Sequence, residues 1–319
     1  MLDPNVFRLD CSAEAERIAS FVRDYLRRMR RKGVVVALSG GVDSSVVAAL
    51  AVRAVGKDRV YGLLLPEAES AEETPELGRR VVEALGIRWS LENITPALEA
   101  LGCYRRRDAA IREVIPEYGP EWRCKVVLPS VLRGDRYRLF EVVAQSPAGE
   151  VRRARLTLDA YLGILAANSF KQRVRKMLEY HWADRLHYAV AGTPNLLEYD
   201  QGFFVKNGDG AADLKPIAHL YKSQVYQLAE FLDLPDEIRR RPPTTDTFSL
   251  PQTQDEFYFS LPWREMDLCL YALDHGLGAA ETAPAVGLTA EQVELVFADI
   301  RAKREAARYL HAGAETLEA

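Results

Sequence analysis

Val34-Val35-Val36-Ala37-Leu38 runs directly into Ser39-Gly40-Gly41-Val42-Asp43-Ser44-Ser45. Five apolar, largely β-branched residues predict a buried strand. Gly40 and Gly41 predict a turn that only glycine can make, and the serine hydroxyls predict the opening of a helix that continues through Val55. A strand, a glycine turn and a helix N-terminus together make an anion cradle. The N–H groups of the first helical turn have no partner within the helix, and the helix dipole adds about half a positive charge. The spacing to a Lys-Ser/Thr pair that defines a Walker loop is missing here. Instead Asp43 stands where a magnesium ligand would serve.

Outward from this stretch the pattern alternates. A second strand is predicted over residues 60–65, a helix over 74–85 stopped by Gly86, and a third strand over 87–91. A long helix over 159–183 precedes a fourth strand at 188–191. This βαβαβ order predicts a doubly wound α/β fold with a mostly parallel sheet and right-handed crossovers. The ligand then belongs at the carboxyl ends of the strands, where the 39–45 loop and the Leu65-Pro66-Glu67 turn both lie and where Ser70 can reach an adenosine. The first helix carries Ile18, Phe21, Val22, Tyr25, Leu26 and Met29 at helical spacing. Its basic run from Arg27 to Lys32 reads as a solvated helix end, since cations there favour the dipole.

With 319 residues, 48% hydrophobic and 28% charged, the chain can bury a large core, and residues 1–319 read as a single α/β domain with an insertion. No apolar run approaches membrane-spanning length and Met1 to Asp10 lacks a signal-peptide core, so a cytoplasmic protein without a membrane partner is expected. Cys11, Cys103, Cys124 and Cys269 are scattered without a CxxC pair, which opposes a disulfide framework, a zinc site or an iron–sulfur cluster. The net charge of −4 gives no general drive toward nucleic acid, and no nucleic-acid partner is expected. The five histidines show no metal-ligand spacing.

After the fourth predicted strand comes Gly192-Thr193-Pro194-Asn195-Leu196-Leu197-Glu198. Gly202-Phe203-Phe204-Val205-Lys206-Asn207-Gly208-Asp209-Gly210-Ala211-Ala212-Asp213-Leu214-Lys215-Pro216 follows, and then Lys222. The 39–45 loop resembles the pyrophosphate loop of the ATP pyrophosphatases, enzymes that cut ATP between the α and β phosphates and adenylate a substrate. Lys171, Arg173 and Arg175, the Pro243-Thr244-Thr245-Asp246 segment and Gln254-Asp255-Glu256 extend the likeness. Taken together, the chain from its first helix to residue 275 resembles the ammonia-dependent NAD synthetases.

That resemblance implies a Rossmann-like fold of the adenine nucleotide α-hydrolase type, and amidation of nicotinic acid adenine dinucleotide (deamido-NAD) with ammonia and ATP, through an acyl adenylate. It implies a homodimer acting on small molecules, with ATP as a substrate and magnesium as its ion. Ser39, Gly40, Gly41, Val42, Asp43, Ser44, Ser45, Thr193, Lys222 and Thr244 are assigned by it to ATP. Arg173, Lys206 and Asp213 are assigned to the dinucleotide, Asp43 and Glu198 to magnesium, and Asp43, Lys206 and Lys222 to the reaction. The chemistry asks for such residues. Oxide is a poor leaving group, so ammonia cannot displace it from a carboxylate; AMP is a better one. Two anions must meet while pyrophosphate departs, so catalysis is charge neutralisation and positioning. No nucleophilic side chain is required.

The chain also departs from that pattern. Residues 104–155 hold twelve Lys/Arg against seven Asp/Glu and exceed the family's usual connection. Strand-like runs at 124–128, 137–144 and 151–158, with turns at Arg133-Gly134-Asp135 and Ser146-Pro147-Ala148-Gly149, predict a small antiparallel β insertion over residues 118–157. It reads as a solvated structural addition whose removal would leave an ATP site intact, against a basic ribbon that recognises substrate. A His-Lys pair common near the family's C-terminus is replaced by Ala302-Lys303-Arg304. Residues 1–33 leave no room for a glutaminase, which favours free ammonia, with an external glutaminase as an open alternative. Other open readings are an amide ligase acting on another carboxylate, a tRNA-modifying ATP pyrophosphatase, which the missing CxxC opposes, and a nucleotide sensor, which retention of Asp43 and Glu198 opposes.

Overall fold

The computed structural model describes residues 2–71, 73–130, 132, 139–245, 247–259 and 261–317. The expected turn at Arg133-Gly134-Asp135, the start of the strand expected at 137, and Asp246 lie outside them. Helix α1 (Cys11–Arg28) is followed by β1 (Val34–Ala37), α2 (Val42–Val55), β2 (Val60–Leu64), α3 (Glu73–Leu85) and β3 (Arg88–Leu91). Two short helices, α4 (Thr95–Ala100) and α5 (Cys103–Arg112), lead to β4 (Arg123–Val127), β5 (Glu141–Gln145) and β6 (Val151–Arg155). Then come α6 (Leu158–Leu186), β7 (Ala189–Val190), α7 (Leu196–Gln201), α8 (Lys222–Phe231) and α9 (Asp236–Arg239). Helices α10 (Trp263–Asp274), α11 (Ala279–Val286) and α12 (Ala290–His311) follow.

The main sheet is parallel, in the order β3-β2-β1-β7. Because β2 and β7 flank β1, the connections leaving β1 and β7 diverge at their carboxyl ends, and a crevice opens there. The valine run explains the central position of β1. Val34 and Val36 pack with Val22, Leu26, Val46, Leu50, Val225 and Leu228 from α1, α2 and α8. Val35 faces the opposite core with Leu63, Leu98, Val174 and Val190. A strand covered on both faces reads as a continuous apolar run. Strand β7 is shorter than the four residues expected: His187 takes a left-handed φ of 58° to end α6, and Tyr188 N–H donates to Ala183 O. At the far end of β7, Ala191 N–H still donates to Val35 O at 3.0 Å, and Ala191 forms an isolated bridge with Leu214.

The inserted strands form a separate antiparallel sheet with β5 central. Its apolar face, with Cys124, Val126, Val142 and Ala144, closes a core with Ile111, Ala160 and Ile164. Arg152, Arg153 and Arg155 of β6 are exposed. The third strand stops at Arg155 because Thr157 caps α6, accepting from Ala160 N–H at 3.1 Å. A fourth core joins α10, α11 and α12 to Phe7. No helix among the described residues is long and apolar enough to cross a membrane.

Candidate active site

The cradle forms where β1 gives way to α2. Gly40 has a φ of +69°, and a Cβ there would meet Leu77 Cβ at 2.8 Å and Thr74 O at 3.1 Å, so this turn requires glycine. Gly41 corrects the expectation of two glycine-only positions. Its φ of −86° is open to any residue, and a Cβ would only press on Ser39 Oγ at 3.3 Å. Ser44 and Ser45 both donate to Gly41 O, at 3.1 and 2.8 Å, drawing the serines into the helix. Among the described residues no side chain caps α2, which leaves its first-turn N–H groups to a cavity of 770 Å³.

That cavity is lined by Ser39, Gly41, Val42, Asp43, Ser44, Arg173, Thr193, Glu198, Lys206, Lys222 and Thr244, which brings together eleven of the expected residues. Three others are not brought to it. The backbone of Gly40 turns away, and its carbonyl accepts from Arg241 at 3.2 Å. Ser45 is fully buried in α2. Asp213 lies behind the sheet end, accepting from Val190 N–H at 2.8 Å and from the Tyr180 hydroxyl at 3.4 Å.

The electrostatic centre joins buried Lys222 to half-buried Asp43 and Glu198. Lys222, 2% exposed at the start of α8, forms an ion pair with Asp43. Asn195, 1% exposed, donates its side-chain N–H to Asp43 Oδ1 at 3.0 Å and its backbone N–H to Glu198 Oε2 at 3.2 Å. It therefore bridges the two carboxylates. Gln254 donates to Glu198 Oε1 at 2.9 Å. Burial, followed by the neighbouring charge of Asp43, pushes the Glu198 carboxyl up to about 7, against the pull of Lys222 and Gln254. Burial opposes the charge on Lys222, but Asp43 and Glu198 outweigh it and raise its pKa. Two hard carboxylates crowded this closely have the donor chemistry for a magnesium ion that completes its shell with phosphate oxygens and water.

Asn195 is not among the residues expected in the site, although Asn195-Leu196-Leu197-Glu198 has the signature of a helix N-terminus. The structure shows a reciprocal capping box there, with Glu198 N–H donating to Asn195 Oδ1 at 3.2 Å. Lys171, named on the long helix without a role, is 1% exposed and donates to Glu67 at 2.9 Å, Glu69 at 2.6 Å and Thr247 O at 2.8 Å. Tyr104 donates to Glu67 at 2.6 Å, and Arg107 pairs with Glu69. On the far wall Lys206 donates to Tyr309 O at 2.8 Å and lies over its ring, while Arg173 donates to Lys206 O at 3.3 Å. Asn168 also lines the cavity. Its buried amide has no hydrogen-bond partner among the described residues. Where the His-Lys pair is replaced, Lys303 donates to Tyr258 O and Asp299, and Arg304 pairs with Asp200 and Asp274, so both are structural.

Fold and site together define a nucleotide-binding, doubly wound α/β protein whose anion cradle lies at the switch point of its sheet. A sequence model described as NAD synthase matches residues 14–114 and 149–308, flanking most of the insertion, and the chain belongs to that family. The chain is 58% identical over 311 residues to an NH(3)-dependent NAD(+) synthetase of Rhizobium rhizogenes, covering 97% of this chain and 94% of the relative. A synthetase of the same name from Thermotoga maritima is 34% identical over 84% of this chain and 90% of its own. Among solved structures, an NMN synthetase from Francisella tularensis superposes with a TM-score of 0.68 at 22% identity, over 97% of this chain and 99% of that one. An NH3-dependent NAD synthetase from Campylobacter jejuni gives 0.64 at 22%, over 98% and 100%. At such identities the two structures speak for the fold.

Proposed function

We propose that this chain amidates nicotinic acid adenine dinucleotide with ammonia and ATP, yielding NAD, AMP and pyrophosphate. The observation that carries the reading is 58% identity, across 97% of the chain, to a relative named NH(3)-dependent NAD(+) synthetase. The geometry of the site supports it. A substrate carboxylate oxygen attacks the α phosphorus and the bond to the β phosphate breaks. Ammonia then attacks the acyl carbon, AMP leaves with one carboxylate oxygen, and a proton is released. The α2 N-terminus with Ser39 and Ser44 cradles phosphate, and Lys222 sets a fixed positive charge beside it. Asp43 and Glu198 would hold magnesium, which would supply neutralisation of phosphate charge. Thr193 and Thr244 contact the nucleotide from two sides, while Arg173 and Lys206 receive the acyl dinucleotide on the far wall.

The reading includes a homodimer in a cytoplasmic setting. Leu158, Leu162 and Leu165 are 70%, 49% and 42% exposed at i, i+4 and i+7 on α6, an apolar stripe that reaches the cavity mouth at Leu165. A second copy on this stripe brings the dinucleotide near the two-fold axis. The test is incubation with ATP, magnesium, ammonium and a panel of carboxylates, following AMP and amide by mass spectrometry. NAD with stoichiometric AMP is expected from the deamido-dinucleotide. AMP formation with another carboxylate alone would assign the chain to a different amide ligase.

A further inference from the structure

The inserted sheet reaches the site through the segment that carries Thr244. In the order β4-β5-β6, β4 is an edge strand, and its outward backbone groups need partners. The segment from Ser249 to Glu256 supplies them. Cys124 N–H donates to Ser249 Oγ at 2.9 Å, Leu250 N–H to Cys124 O at 3.0 Å, and Leu128 N–H to Glu256 O at 3.2 Å. Arg123 places two N–H groups on Ser249 O, at 2.8 and 2.6 Å. Phe248 is buried in the core of the inserted sheet. The same segment then doubles back: Thr244 bridges Thr253 in antiparallel fashion, and Gln254 holds Glu198.

One side chain joins the two halves. Gln252 is 3% exposed, and its amide N–H donates to Val126 O on β4 at 2.5 Å. Its amide oxygen accepts from the Thr245 hydroxyl at 3.2 Å, and Thr245 N–H donates to Gln252 O at 3.0 Å. The inserted sheet, Gln252 and the residue beside Thr244 therefore form one hydrogen-bonded chain. We propose that the inserted sheet is the mount for the Thr244 segment and that Gln252 is the positioning residue that connects them. The insertion on this account sets affinity for ATP rather than recognising the acyl substrate. Its exposed arginines lie on β6, the opposite edge strand.

The proposal rests on the functional reading above, and its test separates the two. Gln252→Met keeps the volume and removes both side-chain bonds; Arg123→Ala weakens the mount from the sheet side, outside the cavity; Arg153→Ala on β6 is the control. The readouts are separate KM values for ATP and for the deamido-dinucleotide, kcat, thermal unfolding, and calorimetric binding of a non-hydrolysable ATP analogue without acyl substrate. Gln252→Met is expected to raise the ATP KM and the analogue Kd about tenfold, with kcat within about threefold and the dinucleotide KM within about twofold. Arg123→Ala should raise the ATP KM about threefold, less than additively when combined with Gln252→Met, and Arg153→Ala should change neither. An analogue Kd within about twofold of wild type in folded Gln252→Met overturns the proposal. So does an equal rise in the dinucleotide KM, which would make the insertion a substrate-recognition element. If the wild type binds the analogue but makes no NAD, the functional reading fails while the binding measurements still decide the role of Gln252.

Discussion

Asn195 holds Asp43 and Glu198 together although Asp43 lies 152 positions away in sequence. Between them the two carboxylates carry the charge that Lys222 balances and that magnesium would share. Asp43→Asn keeps shape and an acceptor for Asn195 but removes one unit of that charge. Steady-state kinetics should show turnover lower by at least about a hundredfold, on the order of 3 kcal/mol in the barrier. Near-normal turnover would remove Asp43 from the chemistry. The residue types of this centre were legible because strand, glycine turn and helix are local patterns. Its wiring was not. The Asn195–Asp43 and Gln254–Glu198 bonds join segments that only tertiary folding brings together, and Asp213 spends its carboxylate on Val190 N–H, which no spacing reveals.

Two elements hold the cradle in place. Helix α8 begins with Lys222, an unfavourable cation at a positive dipole end, and buried Asp267 of α10 offsets it. Its carboxylate accepts from Ser223 N–H at 2.7 Å, Ser223 hydroxyl at 2.6 Å and Lys222 N–H at 3.3 Å. Burial still pushes Asp267 up to about 6 from an ordinary 3.8. A raised folded-state pKa gives stability that is full below the unfolded value and lost as pH rises through the folded one. Wild type should therefore lose on the order of 2–3 kcal/mol between pH 4 and 6 relative to Asp267→Asn in urea unfolding. Parallel pH profiles would contradict this. The second element is α6, whose Lys171 ties the loop after β2 to Thr247 O. Among the described residues, Lys171→Ala leaves the Glu67 side chain with only Tyr104 and that of Glu69 with only Arg107. It should cost about 3–5 kcal/mol by urea titration, and a loss below about 1 kcal/mol would show the cluster to be dispensable.

At the scale of the whole molecule, the doubly wound sheet and the antiparallel insertion follow from alternation and turn spacing, which survive folding unchanged. The insertion is not isolated from the rest of the molecule: its edge strand hydrogen-bonds the segment after Thr244, and its core takes in Phe248. Sequence shows charge on β6 but not which edge needs a partner. The apolar stripe on α6 belongs to this scale too. Light scattering should give twice the chain mass, and Leu162→Asp should shift the protein toward monomer; an active wild-type monomer at assay concentration would contradict the dimer.

The acyl group is carried on AMP before ammonia displaces the AMP. Oxygen-18 placed in the carboxylate of the deamido-dinucleotide, with ATP, magnesium and ammonium present, tests it directly. One labelled oxygen is predicted in the AMP phosphate for each NAD formed, as read by mass spectrometry. Unlabelled AMP, or ADP with labelled inorganic phosphate, would contradict it.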